Sequence, residues 1–289
     1  MSQGSWIWYQ NELIPRQSVH ISPDDRGYYF GDGLYEVFRV YSGSMFEPSA
    51  HFDRLERTAK ALRITLPHSR SQIAARLEEL IRKNDLQTGN IYMQITRGIA
   101  ARSHPFPPLA EPVLMAYTTE ADRPQEDMRK GIQAITAEDI RWLRCDLKTL
   151  NLLPNVLAKQ EALDRGADEV IFHRSGTVTE CSASNVMIVK NGVLRTHPAN
   201  HLILHGVTRL VVLRLARQLG IQVVEEPFTL EALAQADEVF LTSTTAEIMP
   251  IVRIDERLVR NGAPGPVTQQ LQSAFEAVIP GHAASSDHG

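Results

Sequence analysis

The chain has 289 residues, 43% of them hydrophobic, with a formal net charge of −4 and two cysteines. That length holds one large or two ordinary domains with a substantial core, and the modest charge without a basic block argues against nucleic acid or an anionic membrane surface as a partner. No apolar run approaches the ~20 residues of a membrane span, no basic-then-apolar export pattern opens the chain, and Cys145 and Cys181 are too few for a disulfide framework, so a cytoplasmic protein with reduced thiols is expected.

In chain order, residues 7–9 and 12–14 flank Gln10-Asn11 and read as an opening hairpin. Residues 34–41 alternate and are rich in β formers, and Ser42-Gly43 turns the chain into Met45-Phe46. Phe52, Leu55, Ala59 and Leu62 recur at helical spacing over residues 49–62. Ser71 is placed to cap a second helix, with Ile73, Leu77, Leu80 and Ile81 inward. Strands are expected at 91–96 and 113–118, separated by a proline-rich loop over 97–108. The polar segment 119–124 ends in proline and reads as a linker. Beyond it, residues 131–135, 169–173, 185–189 and 238–242 read as strands, and 151–164, 207–219 and 267–278 as helices. The predicted organisation is α+β: a smaller α+β domain over 1–120, a larger α/β domain over 125–280, and a disordered tail over 281–289.

Three features carry chemistry together and little apart. Lys148 alone reads as a solvated lysine, but a lysine amine can act as a nucleophile when burial or a nearby cation lowers its pKa. Arg141 and Arg144 are the neighbouring cations, and Trp142 and Leu143 the residues expected to bury it. Glu180, followed by small and polar residues before an apolar strand, suits a flat ring approaching the backbone; an exposed glutamate at a strand start is the plain alternative. Gly206 leads a helix whose first turn, with Val207 and Thr208, offers free N–H donors to an anion, although a glycine turn before an ordinary helix explains it alone. The run Thr242-Ser243-Thr244-Thr245 gives a second hydroxyl-rich cup, or the cap of a helix from Ala246. Arg54 is a further phosphate candidate. A lysine amine, a carboxylate and an anion-binding helix start are the parts of a pyridoxal-phosphate site: a Schiff base, a partner for the pyridine nitrogen, and a phosphate cradle. His197, His201 and His205 stand at i, i+4 and i+8, but Pro198, Asn200 and Gly206 interrupt the segment, and no metal is expected. The glycine-rich residues 27–33 lack the lysine of a nucleotide loop.

The pattern Glu180-x-Ser182-x-x-Asn185, Leu194-x-Thr196 and Leu204-x-Gly206-Val207-x-Arg209 resembles the signature of the class-IV aminotransferases, the fold-type IV pyridoxal-phosphate enzymes, with Met187 where an aromatic is usual. Asp25-Arg26-Gly27, Phe30-Gly31-Asp32-Gly33-x-Tyr35-Glu36, His51-x-Asp53-Arg54-Leu55 and Asn151-x-Leu153 extend the resemblance over nearly the whole chain. Residues 138–146 and Arg102-x-His104 are similar to bacterial D-amino-acid transaminases. The resemblance implies a two-domain fold with the cofactor between the domains, and a homodimer. It implies that Lys148 carries the Schiff base and shuttles the proton, and that Glu180 holds the pyridinium. Arg54, Val207, Thr208 and Thr244 would bind phosphate, with Ser243 adjacent, and Leu204 would back the ring. Tyr35 would face the reactive carbon. Arg102 and His104 would bind the substrate carboxylate, reaching across from the partner subunit. Cys181 and Ala183 replace residues that are usually glycine and serine in the similar transaminases. The expected reaction is ping-pong transamination between a D-amino acid such as D-alanine and a 2-oxo acid such as 2-oxoglutarate. A branched-chain L-amino-acid aminotransferase and an aminodeoxychorismate lyase are the alternatives.

Overall fold

The computed structural model describes residues 3–281, so the tail expected past Gly281 lies outside the described residues. The chain divides into two compact units. One runs to Asp122 and takes in Leu147–Asn151; the other holds Arg123–Asp146 and resumes at Leu152. A division by sequence order alone cannot reveal the five-residue exception. Leu147–Asn151 joins the first unit because it pairs with the strand Gly33–Tyr41. Leu34 bridges Thr149, the Tyr35 N–H donates to the Lys148 carbonyl (3.1 Å), and the Leu150 N–H donates to the Gly33 carbonyl (3.2 Å).

In the first unit, alternation builds a six-stranded antiparallel sheet in the order Glu12–Pro15, Gln3–Tyr9, Val113–Glu120, Gly89–Thr96, Gly33–Tyr41, Ser44–Met45. Leu34, Phe38 and Val40 fall on one face by the two-residue period and meet Phe52, Leu55, Leu77 and Leu80 from the helices Pro48–Leu62 and Arg70–Lys83. Glu36 shares that buried face and lies fully buried. Tyr35, one position out of phase, points the other way. The second helix begins earlier than expected: Ser69 is the cap, and its hydroxyl and Gln72 form a reciprocal capping box, which leaves Ser71 inside the helix.

The second unit is a mixed ten-stranded sheet. Its main path runs Val223–Glu225, Val193–Thr196, Asn185–Lys190, Glu238–Ser243, Glu247–Ile254, Ile132–Glu138, Glu169–Arg174, Thr177–Cys181, Phe228–Thr229. The helices Leu153–Asp164, Val207–Gln218 and Pro266–Ala277 occur where periodicity places them, within two residues at each end. The helix from Ala246, the plain alternative for the hydroxyl run, does not form. Glu247–Ile254 is a strand, antiparallel to Glu238–Ser243, so Thr244-Thr245-Ala246 is a hairpin loop. Pro250 hides this strand in the sequence, because proline cannot donate to a ladder and argues against a central strand. It sits opposite Phe240, and the pairing to Ile132–Glu138 shifts register just beyond it.

Candidate active site

In the first unit, the bridge to Gly33–Tyr41 presents Lys148 beside Tyr35. The Lys148 Nζ lies 4.1 Å from the centre of the Tyr35 ring. Its amine makes no hydrogen bond or ion pair among the described residues. Beneath them, Arg54 donates from Nε to Glu36 Oε1 (2.7 Å) and from Nη2 to Glu36 Oε2 (2.8 Å), and His51 Nδ1 meets Oε2 at 2.9 Å. Burial alone would push the Glu36 carboxyl up, but the charge and hydrogen bonds of Arg54, with His51, hold it well below the usual carboxylate range. His51 is itself pushed down, first by burial. A charge therefore sits in this core because a fork-shaped partner on the facing helix satisfies both its oxygens.

In the second unit, Glu180 lies near the end of the strand Thr177–Cys181 and is buried. Arg141 Nη1 donates to its Oε1 at 2.5 Å. Its Oε2 accepts from Asn185 Nδ2 (2.9 Å) and from the Leu204 N–H (3.0 Å). Asn185 also donates to the Leu204 carbonyl (2.9 Å), tying the carboxylate to the loop that enters the helix Val207–Gln218. Burial pushes Glu180 up to about 7, against the pull of Arg141 and the Leu204 N–H. Gly206 stands at the helix start, where among the described residues no side chain caps the first turn. A Cβ there would come within 2.1 Å of Asn185 Oδ1, so only glycine fits without moving Asn185. Val207 and Thr208 are buried at the first turn. The strand carrying Asn185 pairs with Glu238–Ser243, with Asn185 opposite Thr242. That pairing brings the Ser243-Thr244 loop into the same unit as Glu180, Leu204 and Thr208. The Ser243 hydroxyl accepts from the Ala246 N–H (3.0 Å) inside the hairpin, and the buried Thr242 hydroxyl has no hydrogen-bond partner among the described residues.

Arg102 and His104 are exposed on the loop that follows Gly89–Thr96. The Arg102 guanidinium lies 5.2 Å and the His104 ring 5.5 Å from the Phe30 ring. Among the described residues, no hydrogen bond, ion pair or ring contact links either to Lys148 or Tyr35.

The family model for class IV amino-transferases matches residues 33–254. The chain belongs to the class IV aminotransferases. This class IV chain is 45% identical over 277 residues to a D-alanine aminotransferase of Staphylococcus aureus (strain COL), covering 96% of this chain and 98% of that one. It is 48% identical over 273 residues to a D-alanine aminotransferase of Listeria monocytogenes serotype 1/2a (strain 10403S), covering 93% and 94%. In structure it is similar to the Escherichia coli branched-chain amino acid aminotransferase, with a TM-score of 0.91 and 28% identity over 96% of each chain. It is also similar to the branched-chain amino acid aminotransferase from Thermobaculum terrenum in its PLP-form, with a TM-score of 0.85 and 28% identity over 96% of this chain and 95% of that one.

In this class IV aminotransferase, several neighbours expected for Lys148 have other work. Arg141 is buried and forks onto Asp139 (2.9 and 2.8 Å) as well as reaching Glu180. Arg144 pairs with Asp146, and Trp142 and Leu143 are exposed. The spacing Asp139-x-Arg141 is the missed signal: in extended chain it puts both side chains on one side, and the charge pair needs a third group. Arg174 and the Thr179 hydroxyl complete the support of Asp139 at 3.1 and 3.0 Å. Both cysteines are free and buried, and burial pushes Cys145 up to about 11. The segment holding His197, His201 and His205 is not helical, so their spacing aligns nothing. Among the described residues no group of three or more His, Cys, Asp or Glu side chains could hold a metal ion.

Proposed function

We propose that this aminotransferase uses pyridoxal 5'-phosphate to move the amino group of a D-amino acid, such as D-alanine, to a 2-oxo acid, such as 2-oxoglutarate. The observation that carries the cofactor is the Lys148 amine beside Tyr35, without a hydrogen bond or ion pair among the described residues. The residues present fit the group. Glu180 is a buried carboxyl whose oxygens are fixed by Arg141, Asn185 and the Leu204 N–H. The helix start at Gly206 has no side-chain cap among the described residues, which suits an anion.

On this reading Val207, Thr208, Ser243, Thr244 and Arg54 hold the phosphate, Leu204 backs the ring, and Glu180 keeps a proton on the pyridine nitrogen. Pyridoxal phosphate, when bound, supplies an electron sink for charge left at the substrate carbon. Lys148 Nζ takes the proton from the substrate Cα and returns it to complete the half-reaction. Tyr35 walls the reacting carbon, and Arg102 and His104 receive the substrate carboxylate, the arginine as a two-toothed clamp. Release of the first oxo acid before entry of the second gives ping-pong kinetics.

Identity of 45% and 48% to D-alanine aminotransferases over nearly the whole chain supports the D-amino acid. The second reading is a branched-chain L-amino-acid substrate, which the branched-chain relatives in structure, at 28% identity, fit only as members of the same family. Coupled assays with D-alanine, L-leucine and aminodeoxychorismate separate them; turnover of L-leucine without D-alanine overturns the first. The reading includes a homodimer, supported by Leu153, Val156, Leu157 and Leu163, which leave an apolar row exposed on one helix. It also includes a cytoplasmic location, which suits two buried free thiols. Among the described residues no helix is long and apolar enough to cross a membrane.

A further inference from the structure

We propose that Arg26 is a positioning residue that holds the loop bearing Arg102 and His104 in its substrate-binding shape. The proposal rests on the reading that those two side chains receive the substrate carboxylate. Arg26 is 3% exposed, yet its guanidinium is turned onto backbone from a loop far along the chain. Nη1 donates to the Ser103 carbonyl and reaches the Pro105 carbonyl at 3.5 Å, and Nη2 donates to the His104 carbonyl at 3.3 Å. Three consecutive carbonyls are thus gathered on one buried cation, while the side chains of Arg102 and His104 stay exposed. Drawing the carbonyls inward fixes which way the alternate side chains splay.

The cation is itself fixed. Arg26 Nε donates to Asp32 Oδ2 (2.8 Å), and Arg97 grips the same carboxylate through Nε (2.8 Å) and Nη2 (3.0 Å). Arg97 is anchored in turn on the Leu62 and Arg63 carbonyls, both at 2.9 Å. The Phe30 ring packs on the Arg26 guanidinium at 4.9 Å and also meets Arg102 and His104. The root of the loop is pinned to the same segment, since the Arg26 N–H donates to the Gly98 carbonyl (3.0 Å) and the Ala100 N–H to the Asp24 carbonyl (3.1 Å). Gly98 has φ +109°, and a Cβ there would meet the Glu111 carbonyl at 1.9 Å, so the loop leaves the sheet along one fixed path. A planar fork serves three acceptors and a carboxylate at once, which a lysine ammonium cannot do at this spread.

The test is a double-mutant cycle in the cofactor-loaded enzyme with D-alanine as the varied substrate. Arg26→Gln should raise KM by about ten- to a hundredfold, since a misplaced binding group costs that much, and should change kcat by less than about threefold. On top of Arg102→Ala it should add less than about twofold, because the loop's contribution is already gone. Arg26→Lys, which keeps a charge beside Asp32, should behave like Arg26→Gln and carries the cycle if the glutamine variant does not fold. Trypsin should cut after Arg102 faster in either variant than in the parent. Effects of Arg26 and Arg102 that multiply, or an unchanged rate of cutting, overturn the anchoring. If Arg102→Ala raises KM and neither Arg26 variant does, the anchoring alone fails. If Arg102→Ala leaves KM unchanged, the carboxylate reading falls and takes the anchoring with it.

Discussion

Arg141→Met removes the guanidinium shared by Glu180 and Asp139. The Arg141 and Glu180 side chains are 7% and 5% exposed and that of Asp139 is fully buried. Truncating one partner of so buried a pair costs about 3–5 kcal/mol, because the remaining charge is left uncompensated. Asp139 keeps Arg174 and Thr179, and Glu180 keeps Asn185 and the Leu204 N–H, so the lower end, about 3 kcal/mol, is expected. At ~2–4 °C per kcal/mol for a domain of this size, the melting temperature should fall by roughly 6–12 °C. Calorimetry and urea unfolding of the cofactor-free protein read both quantities. Adding Glu180→Gln to Arg141→Met should give back part of the loss, with a coupling of about 1–3 kcal/mol, since the second change removes the stranded charge. A loss below about 1 kcal/mol, or two strictly additive changes, would refute the pairing as the support of Glu180.

Glu180 sits above its ordinary carboxylate value, so the folded chain holds this proton more tightly than the unfolded chain, and stability falls as pH rises from about 4.5 to about 7. Glu180→Gln should lose that slope and gain on the parent by on the order of a few kcal/mol across the window, read from denaturant midpoints at the two ends. Glu36 behaves in the opposite sense: held low by Arg54, it stabilises above its ordinary value and loses this as pH falls below it. Glu36→Gln should therefore cost about 3–5 kcal/mol at neutral pH, with the gap to the parent narrowing in acid. Gly206→Ala should push Asn185 off Glu180 and Leu204, costing about 1–3 kcal/mol and weakening pyridoxal phosphate in equilibrium dialysis.

Where one physical signal dominates, the sequence alone places elements well. The two-residue period of residues 34–41 and the helical stripe from Phe52 to Leu62 are both present as read, because a buried face leaves a repeating mark. The strand Glu247–Ile254 left no such mark: its first five residues are buried without alternation, and it carries Pro250 in mid-run. Lys148, Glu180 and Gly206 stand out in the sequence as candidates for chemistry. Their supports were less so, because a charge pair such as Arg141–Glu180 is set by a contact 39 positions apart. Arg141 reads in the sequence as a cation beside Lys148; folding gives it to the carboxylates of Asp139 and Glu180. Arg26 stands in the Asp25-Arg26-Gly27 match, but nothing in the sequence points to its contacts, since its partners on the loop are carbonyls, which every residue has.

The central claim is that Lys148 moves a proton on a D-amino acid bound with pyridoxal phosphate. Its most direct test is the visible absorbance of the cofactor-loaded protein on adding D-alanine and, separately, L-alanine, with Lys148→Ala beside it. The visible band should fall with D-alanine as pyruvate is released, should persist with L-alanine, and should show no such conversion in Lys148→Ala. Conversion by L-alanine and not D-alanine, or parental rates in Lys148→Ala, would contradict the claim.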